Sequence, residues 1–205
     1  MWALRAHRAV RAVVWMACAA SAWAGAARAA EDCHPPGAQE RARYARSLAS
    51  YRVPAVDLLN QKGERIGVRQ LLEADGPVAL NFIFTTCATI CPVMTATFSA
   101  AREALGNEAD GLRMVSISID PDHDTPRVLE EYARRTGAGD SWQFLTGDPG
   151  QIGRLLEAFD AATVSKMDHR PLTFLRAGPG RPWLRIEGLL GASDLLGEIR
   201  RLSAQ

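Results

Sequence analysis

Residues 78–92 read VALNFIFTTCATICP, and the order of residue types in this stretch decides the fold. Val78 to Phe84 is a nearly continuous apolar run bounded by the turn signal Asp75-Gly76-Pro77. Such a run predicts a strand buried on both faces, as in a parallel sheet. From Pro92 to Leu105 the pattern turns helical and is closed by Gly106. Cys87 and Cys91 therefore stand where a buried strand hands over to a helix. Pro92 fits there because the first helical turn has no use for its missing N–H.

Outward from this junction the signals alternate. A second buried strand is predicted over Leu112 to Ile119, ending at Asp120-Pro121. Thr125-Pro126 and Asp148-Pro149 each pair a capping residue with a proline at the first helical position. They predict helices running to Thr136 and to the region of Phe159, with a strand at Trp142 to Leu145 between them. Leu172 to Arg176 and Trp183 to Glu187 flank Gly178-Pro179-Gly180 and read as a hairpin before a final helix. Upstream, Tyr51 to Leu58 reads as an edge strand, and Val68 to Ala74 as a short helix. The order predicts an α/β domain with parallel central strands, a closing antiparallel hairpin and helices on both sides of a mixed sheet. In such sheets ligand sites lie at the carboxyl ends of the strands, which is where Cys87 and the Asp120–Asp124 loop fall.

The chain as a whole bounds the partners. It has 205 residues, 47% of them apolar, and a formal net charge of +1. That balance argues against nucleic acid as the main partner, since no stretch of the mature chain concentrates Lys and Arg into an electrostatic footprint. Arg5, Arg8 and Arg11 precede the apolar run Ala12 to Ala27, and Ala27-Arg28-Ala29 offers a small-residue cleavage site. The run falls short of the roughly 20 apolar residues that span a bilayer. Residues 1–30 are therefore expected to be a signal peptide, with a signal anchor as the alternative, and residues 31–48 a flexible lead-in to a domain over 49–205. The expected location is the periplasm or another exported space. Membrane contact would come only through an uncleaved N-terminal segment or a membrane-bound partner. Of the four cysteines, Cys18 falls inside the leader behind a poor lipobox, and Cys33 reads as an exposed thiol of the lead-in.

In an oxidising space a pair of cysteines four positions apart is either a disulfide or a metal site. A helix N-terminus presents unpaired N–H groups and partial positive charge, which favour thiolate. Thiolate is at once the nucleophile of redox exchange and a soft metal ligand, so the placement serves both chemistries.

Three stretches, in order, carry a resemblance. Phe84-Thr85-Thr86-Cys87 through Cys91-Pro92-Val93-Met94 resembles the active segment of the Sco/SenC family of copper chaperones. Ser118 to Pro126 (SIDPDHDTP) is similar to that family's Ser-x-Asp-Pro-x-x-Asp-Thr-Pro loop, and Asp168-His169 followed by Phe174-Leu175 resembles the segment bearing its histidine ligand. The resemblance implies a thioredoxin-like fold and one copper ion, Cu(I) or Cu(II), held by Cys87, Cys91 and His169. It also implies a copper-accepting subunit of a respiratory cytochrome oxidase as partner. Two thiolates and an imidazole suit copper, the thiolates favouring Cu(I). The alternative is a thiol–disulfide oxidoreductase in which Cys87 attacks and Cys91 resolves. A thiol peroxidase is disfavoured, because the proline and threonine expected ahead of its cysteine are missing.

Departures from the family pattern are Ala88 in place of a frequent proline, a short segment between Phe159 and His169, and Arg170-Pro171 after the histidine. Pro171 ahead of a strand is similar to the cis-proline facing the cysteines of redox-active thioredoxins. Asp120 and Asp124 are expected to shape their loop by capping and turn bonds. His123 is expected at the surface, Met94 and Met167 in packing roles, and Phe98 and Trp142 in the core.

Overall fold

The computed structural model describes residues 44–203. The expected leader and most of the lead-in lie outside the described residues. The strands are β1 (Ala45–Ala49), β2 (Asp57–Asn60), β3 (Arg65–Gly67), β4 (Val78–Ile83), β5 (Arg113–Ser118), β6 (Trp142–Thr146), β7 (Leu172–Arg176) and β8 (Trp183–Glu187). The helices are α1 (Val68–Glu73), α2 (Ile90–Leu105), α3 (Pro126–Arg135), α4 (Pro149–Ala158) and α5 (Ala192–Ser203). They form one mixed sheet in the order β1-β8-β7-β4-β5-β6-β2-β3. β4, β5 and β6 run parallel at its centre, and the remaining neighbours pair antiparallel. This is a thioredoxin-like α/β fold.

All six residues of β4 are buried, as the apolar run predicts. Ala79 and Ile83 face a core built with α2, α3 and α5, around Phe98, Leu129 and Leu195. Val78, Leu80 and Phe82 face a second core with α1 and α4, around Leu72, Leu155 and Phe159. Asn81 is the polar exception on this strand. It accepts from Ser116 Oγ at 2.6 Å, and Ser116 Oγ in turn accepts from the Trp142 indole at 2.9 Å, so Asn81 Oδ1, Ser116 and Trp142 satisfy one another while Asn81 Nδ2 stays unpaired. The caps behave as read: Thr125 accepts from Val128 N at 3.4 Å and Asp148 from Gln151 N at 2.9 Å. Gly106 and Gly137 adopt φ values of 53° and 67°, which close α2 and follow α3 at little steric cost.

Three expectations are corrected. The lead-in does not extend to residue 48, because β1 pairs antiparallel with the outer edge of β8. Its residues are mostly exposed and show no apolar–polar alternation, so hydropathy hides it. What fastens it is Glu198 on α5, nearly fully buried, which meets Arg46 Nε at 2.9 Å and Tyr44 Oη at 3.3 Å. The expected edge strand over Tyr51 to Leu58 begins only at Asp57 and is not an edge, lying between β6 and the edge strand β3. Residues 51–56 instead cross the second core without a ladder, burying Val53 and Val56 beside Pro54, which lacks a donor. Finally, the Arg170–Pro171 peptide bond is trans, so the likeness to the thioredoxin cis-proline does not hold. Among the described residues no helix is long and apolar enough to cross a membrane.

Candidate metal and thiol site

Beyond Ile83 the chain leaves the sheet and makes a tight turn, with Cys87 N donating to Phe84 O at 3.2 Å. α2 begins at Ile90, two residues before Pro92, so Cys91 lies in its first turn. Cys87 Sγ accepts from the Cys91 N–H at 3.4 Å and lies 3.7 Å from Thr89 Oγ1. The first thiol thus acts as a cap for the helix that carries the second. Both are free thiols, Cys87 half-buried and Cys91 buried.

The two environments drive the thiols apart. Partial burial pushes Cys87 up, but the N–H groups of Cys91 and Thr89 outweigh it and bring the thiol down to about 7. Burial pushes Cys91 up to about 12 against the Phe84 N–H, and the proximity of Cys87 and Asp124 adds to the rise. Near neutral pH the pair therefore holds one readily formed thiolate, on the half-buried Cys87. Alkylation of the reduced protein by iodoacetamide is expected to modify Cys87 alone, with a rate that rises with pH and is half-maximal near 7. A rate still climbing through about pH 8.5, the range of an ordinary thiol, would contradict this.

His169 follows a short 3-10 turn (Lys166–Asp168) and is buried. The β4–β7 ladder ends at Asn81 opposite Thr173, and there the ring takes over, Nε2 lying 2.9 Å from Phe82 O. Since a carbonyl only accepts, Nε2 carries the proton. Burial lowers the imidazole pKa, Arg170 adds to this and the Phe82 bond opposes it. The neutral ring therefore keeps its lone pair on Nδ1. Phe84 stands edge-on to it, ring centroids 6.4 Å apart. Phe82 and Phe84 belong to the segment leading into Cys87, so this one stretch of chain positions all three candidate residues. Among the described residues no three His, Cys, Asp or Glu side chains are gathered closely enough to hold a metal ion.

Other expectations resolve simply. His123 is exposed, Met94 is buried, and Phe98 and Trp142 lie in the core, but Met167, expected to pack, is corrected: it sits exposed on the short turn before His169. The sequence reading missed the partners around the site. Lys166 Nζ pairs with Asp120 at 2.6 Å and lies 5.7 Å from the centre of the Phe84 ring, tying the His169 turn to the Asp120 loop. Tyr132 Oη and Thr95 Oγ1 lie 2.8 Å apart, beside the thiols. Only the SIDPDHDTP motif signals any of this, and it does so without naming the partners.

A thioredoxin-like domain with two unlike thiols at the β4–α2 junction defines a class of thiol-bearing domains. The SCO1/SenC family model matches residues 47–204, and the chain belongs to that family. It is 38% identical over 100 residues to the SCO1 protein homolog of Bacillus subtilis (strain 168), a match covering 48% of this chain and 50% of that protein. The chain thus spans about half the length of that relative. Among solved structures it resembles BsSco, a member of the Sco family of cytochrome c oxidase assembly proteins in which a disulfide switch was identified. There the TM-score is 0.64 at 27% identity, covering 77% of this chain and 96% of that one. The fold also matches copper-bound ScoI of Bradyrhizobium japonicum, with a TM-score of 0.60 at 22% identity over 76% of this chain and 99% of that one.

Proposed function

We propose that this protein binds one copper ion through Cys87, Cys91 and His169 and passes it to the binuclear copper centre of a respiratory cytochrome oxidase. The observation that carries the reading is the donor set around the β4 terminus. Two sulfurs share one helix end, the imidazole bonds a carbonyl at the end of the same strand through Nε2, and binding one ion would require these three donors, not gathered in this structure, to draw together. Metal-ligating histidines are oriented in this way, one ring nitrogen fixed on an outer partner and the other left to the metal. Soft thiolates with an imidazole favour Cu(I), and loading displaces the Cys91 proton. Family membership and the copper-bound ScoI structure support the choice of metal. An exported location, with a membrane-bound oxidase subunit as acceptor, accords with the N-terminal sequence pattern.

The asymmetry of the thiols favours a second reading, reduction of cysteines in the acceptor by Cys87 attack and Cys91 resolution. His169→Ala separates the two. Cu(I) affinity, measured anaerobically against a competing chelator, is expected to fall at least about 10-fold, the lower bound for changes around a metal site. The alkylation rate of Cys87 is expected to persist. Unchanged affinity would remove His169 from the site.

A further inference from the structure

Asp124 is fully buried, yet nothing in the copper reading uses it. Three donors converge on its carboxylate: Ser118 Oγ at 2.6 Å, Thr85 N at 3.0 Å and the Thr85 hydroxyl. The loop carrying it is closed on itself, Asp124 N donating to Asp120 O at 2.8 Å and Asp120 N to Ser118 Oγ at 3.0 Å. A buried carboxylate is costly without donors, and these hold it by directional bonds that an apolar residue would not supply.

Its location gives the arrangement a purpose. The paired residues of β4 and β5 end at Ile83 opposite Ser118, and the last backbone bond runs from Ile119 N to Ile83 O. Thr85 N is the next group on that side, and no strand remains to receive it. Asp124 supplies the acceptor and grips the same residue by its hydroxyl. Thr85 lies two positions before Cys87, and its neighbour Phe84 receives the Cys87 N–H while donating its own to the Cys91 sulfur.

We infer that Asp124 is a positioning residue, which clamps Thr85 onto Ser118 at the end of the sheet and so sets the separation and orientation of the Cys87 and Cys91 sulfurs. The inference rests on reading the two cysteines as one working pair. Asp124→Asn places amide donors where the structure offers donors already. Thr85→Val removes the hydroxyl at nearly constant shape, and Thr85→Ser restores it.

Two quantities are read on each reduced, folded variant. One is Cu(I) affinity against a chelator. The other is the equilibrium with oxidised dithiothreitol, in which two electrons and two protons leave the cysteines, a Cys87–Cys91 disulfide forms and the reagent becomes a dithiol. Asp124→Asn and Thr85→Val are expected to weaken copper binding by about 10–100-fold, the range for groups that orient ligands, and to shift the disulfide equilibrium. Thr85→Ser is expected to match the unaltered protein, and the Asp124→Asn/Thr85→Val pair to be no worse than Asp124→Asn alone. A folded Asp124→Asn with both quantities unchanged, or Thr85→Ser as impaired as Thr85→Val, would overturn the inference. Should Asp124→Asn fail to fold, the two Thr85 variants decide. If the unaltered protein takes up no Cu(I), the copper reading falls and the disulfide equilibrium alone decides the role of Asp124.

Discussion

Replacing both Cys87 and Cys91 by serine is expected to abolish one-to-one Cu(I) binding, a loss exceeding the roughly 10–100-fold that changes beyond the ligands themselves produce. A serine hydroxyl is a hard, protonated oxygen, and Cu(I) selects soft sulfur. The fold should survive, because Cys87 is half-exposed and neither sulfur closes a disulfide. The single variants should differ in kind. Cys87→Ser removes the one thiolate available near neutral pH together with the cap on Cys91 N, whereas Cys91→Ser leaves Cys87 reactive. Anaerobic titration against a chelator, beside alkylation of the single variants, reads both effects. Retained tight binding in the double variant would place copper elsewhere.

The largest effect on stability is expected from Phe159→Ala. Phe159 is fully buried at the hub of the second core, its ring 5.0 Å from Tyr51, 5.2 Å from Phe174, 5.3 Å from Trp183 and 6.1 Å from Phe82. Truncating a buried aromatic leaves a cavity and costs about 3–5 kcal/mol. That is a large share of the roughly 5–15 kcal/mol that holds a typical domain together. Urea unfolding should show the loss as a lower midpoint. Phe159→Leu, which keeps more of the volume, should lose less. A change under about 1 kcal/mol for the alanine variant would mean that α4 and the residues 51–56 crossing the core close over the cavity.

How far the sequence could be read follows from where each signal resides. The β4 run, the Thr125 and Asp148 caps and the 172–176/183–187 hairpin are written in adjacent residues, and the structure follows them closely. The position of the two cysteines at the strand-to-helix junction is legible for the same reason. β1 escaped because an exposed edge strand of sequence ARSLA has no apolar alternation, and its fastening to Glu198 spans 152 residues of chain from Arg46. The Asp124 clamp escaped likewise: Thr85 and Asp124 are 39 residues apart, and only parallel pairing of β4 with β5 brings them together. The sequence marks His169 only through resemblance, and its bond to Phe82 O depends on where the β4–β7 ladder stops.

The most direct test of the copper reading is X-ray absorption at the copper edge on the Cu(I)-loaded protein. The account predicts one copper with two sulfur neighbours and one nitrogen neighbour, the nitrogen lost in His169→Ala and the sulfurs in the double cysteine variant. A copper environment of nitrogen and oxygen alone in the unaltered protein would contradict it.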